Sequence, residues 1–73
     1  MKEKKIKEIL LKKNNEFKKA VELHRECEKK LGDLKKKTYL SVEEEIQERE
    51  LKKKKLSLKD KMYKMILDYK NSL

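Results

Sequence analysis

The sequence predicts an all-α protein, in which two long helices form an antiparallel coiled-coil hairpin that dimerises into a four-helix bundle. Three observations predict it. Of the 73 residues 51% are charged, one is glycine and none is proline, a composition rich in Lys, Glu and Leu that belongs to long helices and coiled coils. Apolar residues recur at helical spacing along nearly the whole chain, which a disordered chain of the same charge would not show. One short interruption, residues 37–41, divides the pattern in two, and so short a connection between helices of similar length makes them antiparallel neighbours.

The first helix rests on a heptad seam. From Ile6, the residues Leu10, Lys13, Phe17, Ala20, His24, Cys27, Leu31 and Leu34 follow at alternating steps of four and three, the spacing that keeps one stripe facing a partner helix. Ile9, Val21 and Leu23 widen that face, and Leu11 alone lies off it. The helix is expected over about residues 3–36, roughly 50 Å at the usual rise. Gly32 does not end it, because Leu34 keeps the phase, and Lys35, Lys36 and Lys37 suit the negative end of the helix dipole.

The second helix begins at Ser41-Val42-Glu43-Glu44, which reads as a capping box followed by acidic residues at the positive end of the dipole. It is expected from Val42 to about Lys70. Its apolar residues fall on two stripes. Leu51, Leu58, Met62, Met65 and Tyr69 point one way, and Leu56, Tyr63 and Leu67 point about 140° away. The first stripe meets the first helix with Cys27 opposite Leu51, His24 opposite Lys55, Ala20 opposite Leu58, Phe17 opposite Met62, Lys13 opposite Met65 and Leu10 opposite Tyr69. Lys55 lays its stem along this seam with its amine in water.

One partner helix cannot cover both stripes. A chain this short buries only about 60% of its unfolded surface, so burying the second stripe, extended toward the turn by Val42 and Ile46, adds what a lone hairpin lacks. Val42, Ile46, Leu56, Tyr63 and Leu67 are therefore read as a self-association face, and the expected state is a homodimer.

Phe17, His24, the hydrophobic positions Cys27 and Leu31, a short turn, and then Leu51-Lys52-Lys53-Lys54-Lys55-Leu56-Ser57-Leu58-Lys59-Asp60 resemble the YdcH-like proteins, a family of small bacterial proteins of unknown function. The similarity covers about Glu16 to Leu67, with Lys55-Leu56 and Leu58-Lys59-Asp60 its most specific part. It implies a two-helix antiparallel coiled coil and no activity, cofactor or catalytic residue. The basic first turns depart from the family pattern, as does Cys27, where a larger aliphatic residue is commoner.

Chemistry has few footholds. His24 and Cys27 are three residues apart on one helix face, but no second histidine, glycine-rich oxyanion loop or third orienting group accompanies them, and no residue is assigned a catalytic role. Two chains meeting near Cys27 would bring together two His and two Cys, the ligand set of tetrahedral zinc. A seam histidine and cysteine are more often packed core residues, so no metal or cofactor is expected, with His24 and Cys27 the candidates if there were one. Cys27 is the only cysteine, which leaves no internal disulfide and no sign of an oxidising compartment.

The net charge of +9, from 23 Lys and Arg against 14 Asp and Glu, favours contact with polyanions. The lysine run 52–55 points around the helix rather than to one side, arginine is limited to Arg25 and Arg49, and the tyrosines lack a stacking-platform spacing. Nonspecific, salt-sensitive nucleic-acid binding through surface lysines is therefore the alternative, and a structural or adaptor module that self-associates is the leading reading, with an unknown protein partner possible. The basic N-terminus is too broken by charges for a signal peptide, and no run approaches the roughly 20 apolar residues of a membrane span. A cytoplasmic protein that does not associate with membranes is expected.

Overall fold

The helical path breaks at Asn14. In the computed structural model, which describes residues 2–73, the regular structure is α1 (Glu3–Lys13), α2 (Asn15–Lys35) and α3 (Val42–Asn71), with no strand among the described residues. The single first helix expected over 3–36 is thus two helices, and the two-helix picture gives way to three. Asn14 takes an extended conformation, φ −120° and ψ 106°, and its side-chain oxygen accepts from the N–H groups of Glu16 at 3.0 Å and Phe17 at 3.1 Å. Asparagine favours this arrangement because its short side chain satisfies first-turn amides that a helix start leaves open. The cap ends α1 and starts α2 within one residue.

The break redirects α1 onto the open end of the other two helices. Ile6, Leu10, Phe17 and Ile66 form one buried cluster, against which Leu11, Val21, Met62, Met65 and Tyr69 pack. Phe17 is 1% exposed and Ile6 fully covered. Leu11, which is off the seam of a straight helix, has its place here because α1 no longer follows the axis of α2. Lys13, a seam position in the straight helix, is exposed.

α2 and α3 run side by side in opposite directions, joined by ion pairs Lys61–Glu16 at 3.2 Å and Lys55–Glu28 at 3.9 Å. Ala20, Cys27, Leu31 and Leu34 of α2 are buried along this contact. Gly32 lies inside α2, which continues to Lys35, and a Cβ built there would meet nothing within 4 Å. The turn after α2 is held by the capping box: Glu44 N–H donates to Ser41 Oγ at 3.1 Å, and Ser41 N–H donates to Glu44 Oε1 at 3.0 Å. Lys37 Nζ donates to the other Glu44 oxygen.

The molecule is elongated, 48 × 20 × 15 Å, with a radius of gyration of 15.1 Å against about 11 Å for a compact domain of this length. Its surface is 6207 Å², whereas a compact monomer of its mass would expose about 4,800 Å². The exposed surface includes Val42, Ile46, Leu56, Tyr63 and Leu67 of α3.

Candidate functional site

α3 presents two faces because its sequence carries two heptad patterns two residues out of phase, which sets them on roughly opposite sides of the helix. Facing α2, residues Leu51, Lys55, Leu58, Met62, Met65 and Tyr69 are half-buried, and on the opposing helices Leu10, Phe17, Ala20 and Cys27 are buried. Facing away, Val42 is 73% exposed, Leu56 66%, Tyr63 53%, Ile46 50% and Leu67 36%. The five residues of the expected self-association face thus lie on one helix, and each is exposed, Leu67 least. No polar or charged residue is buried anywhere among the described residues.

Beside this face runs a groove of about 650 Å³. Phe17, Val21, Met62 and Ile66 form its apolar floor, Leu11 lies on the α1 side, and Tyr63 stands at the α3 rim. The groove exists because α1 turns at Asn14; a straight first helix would leave no wall on that side. Its charged rim is mixed, with Lys7, Arg25 and Lys59 beside Glu3, Glu28 and Asp60.

His24 and Cys27 lie one helical turn apart but do different things. His24 Nδ1 is 3.3 Å from Glu28 Oε1, which also approaches Lys55. When Nδ1 donates to that carboxylate, Nε2 carries the lone pair; it is buried without a hydrogen-bond partner among the described residues. Cys27 is buried at 3% exposure, in the contact between α2 and α3. Among the described residues no three His, Cys, Asp or Glu side chains gather as metal ligands, and no helix is long and apolar enough to cross a membrane.

The lysine run spreads as its helical angles require. Lys52, Lys53 and Lys54 are exposed and Lys55 is half-buried; Lys52 pairs with Glu48 at 3.6 Å and Lys55 faces Glu28 across the helices. The acidity of Glu44 is strongly altered: the Lys37 ammonium, followed by the Ser41 backbone amide, holds its carboxyl at about 2 instead of 4.5.

Ile66, 4% exposed, is the core residue that sequence reasoning missed. It sits between the two stripes of α3 and is covered by α1, so a straight first helix gives no reason to bury it. The signal lay in Asn14-Asn15-Glu16, two poor helix formers followed by an acidic residue suited to a new first turn, and in the off-seam Leu11.

Fold and surface together define a small all-α protein of three helices whose last helix carries an uncovered apolar face. The sequence profile of the family described as "Protein of unknown function (DUF465)" matches residues 17–66, and the chain belongs to that family, as does YdcH. No curated protein and no solved structure matches the chain. The matched span opens at Phe17 and closes at Ile66, the two residues of α2 and α3 in the cluster that α1 covers. α1 and its Asn14 cap lie before it.

Proposed function

We propose that the protein is a non-catalytic, self-associating helical module, a structural or adaptor piece whose copies meet through the outer face of α3 to give a four-helix core from the paired α2 and α3 segments. The observation that carries the reading is the exposure of Val42, Ile46, Leu56, Tyr63 and Leu67 along a single helix. Scattered apolar residues on a surface need no explanation, but large apolar residues aligned along one side of a single rigid element mark an interaction site. The surface excess supports it, since a standard interface covers about 800 Å² on each partner and this elongated chain has that much to spare.

Sedimentation equilibrium at low and high salt tests the proposal. Two chains of charge +9 repel at long range, so association through an apolar face strengthens as salt screens that repulsion. A chain that stays monomeric in high salt contradicts it.

A second reading, nonspecific nucleic-acid binding, draws on the net charge and on Lys53 and Lys54, which are exposed and carry no ion pair among the described residues. It predicts the opposite salt response, with bound nucleic acid in the freshly purified protein released as salt rises. An absorbance ratio free of nucleic acid at low salt contradicts it.

A further inference from the structure

The outer face of α3 is longer than its apolar residues. Val42, Ile46, Arg49, Lys53, Leu56, Asp60, Tyr63 and Leu67 follow at alternating steps of four and three, the spacing of a complete heptad seam, and all eight are exposed. Two of the polar members carry opposite charge. Arg49 has no ion pair among the described residues, and Asp60 is held only by Lys64, 3.3 Å away on its own helix with both side chains largely in water.

This seam is complementary to itself when reversed. Laid antiparallel on a second copy of α3, Val42 stands opposite Leu67, Ile46 opposite Tyr63, Arg49 opposite Asp60, and Lys53 opposite Leu56. Every large apolar residue meets another or the stem of a lysine, and the one acidic member meets the one arginine. Because a two-fold axis repeats each contact, the Arg49–Asp60 pair forms twice over from a single pattern. A shift by one heptad in either direction sets Arg49 against Lys53 or Leu67 and Asp60 against Val42 or Leu56, which leaves Asp60 without a cation on the seam.

We infer that the occupant of this face is a second copy of the chain, and that Arg49 and Asp60, paired across a two-fold axis between Lys54 and Lys55, set the antiparallel register of α3 on α3. The inference rests on the self-association reading and adds to it the direction of the partner helix and the residues that fix it. Fixing register with a few charged or polar seam positions is a device coiled coils use at some cost in stability.

Charge reversal tests it. Arg49→Asp and Asp60→Arg each place like charges opposite one another in the homodimer, so each weakens dimerisation roughly tenfold, while the double variant R49D/D60R restores the pairing and the wild-type affinity. Mixing the two single variants produces heterodimers more readily than either homodimer, because the reversed charges then pair across the axis. Circular dichroism establishes that each variant keeps its helices, and the heterodimer readout compares the singles under identical conditions. The opposite outcome is distinctive. If only overall repulsion mattered, R49D would strengthen the dimer by removing positive charge and D60R would weaken it, which overturns the register. A wild-type dimer indifferent to both substitutions overturns the register and leaves self-association standing. A wild type that remains monomeric overturns both.

Discussion

The side-chain oxygen of Asn14 accepts from the backbone N–H of Phe17 at 3.1 Å, and that bond stands where the heptad pattern runs on without interruption but the helix does not. Its consequence is α1 as a separate element, turned so that Ile6 and Leu10 close over Phe17 and Ile66. Replacing Asn14 with Ala removes both capping bonds and costs about 1 kcal/mol, measured by urea unfolding; Asn14→Asp, which keeps an acceptor, costs far less. Equal stability of N14A and wild type would contradict the cap.

Ile66 answers a different question, whether α1 stays where the structure places it. Ile66→Val removes one methylene from a site only 4% exposed and costs about 0.5–1.5 kcal/mol. On α3 without α1 the same substitution would lie at a partly open position and change little. Unfolding of I66V that matches wild type would therefore mean that α1 does not cover Ile66.

Gly32 should be a stabilising site. It sits inside α2 with space for a methyl group and no positive φ, so Gly32→Ala raises stability by about 0.5–1 kcal/mol through backbone entropy and helix propensity. A loss of stability would contradict the open space beside Gly32.

The turn predicts a pH dependence. Glu44 has its carboxyl lowered from 4.5 to about 2, first by Lys37 and then by the Ser41 amide. A group whose folded value is depressed binds its proton more readily in the unfolded chain, so its contribution is present above pH 4.5 and is lost as pH falls from there toward 2. Carboxyl NMR titration should find Glu44 titrating near 2, and Lys37→Ala should move it back toward the ordinary range. A Glu44 that titrates at its ordinary value in the wild type contradicts the Lys37–Ser41–Glu44 arrangement.

The all-α class, the turn and the start of α3 were legible in the sequence because each depends on local chemistry: heptad spacing, the Ser41–Glu44 capping box, and lysines closing α2. The break at Asn14 was not, since Ile6, Leu10 and Phe17 keep phase across it and a periodicity argument reads phase rather than continuity. Ile66 was hidden for the same reason, its burial being a consequence of where α1 goes. On the outer face the apolar positions were visible as a stripe, but Arg49, Lys53 and Asp60 were not, because an argument that counts only apolar residues passes over the polar members of a seam.

The central claim is that the outer face of α3 brings chains together, and Leu56 lies nearest the middle of it. Sedimentation velocity of wild type and Leu56→Lys over a wide concentration range tests this most directly, since L56K sets a second cation against Lys53 of the other copy while leaving the half-buried face of α3 untouched. The account predicts a concentration-dependent dimer for wild type and, for L56K, a monomer of unchanged helicity, with affinity down roughly a hundredfold. A dimer that persists in L56K with its affinity intact would contradict it.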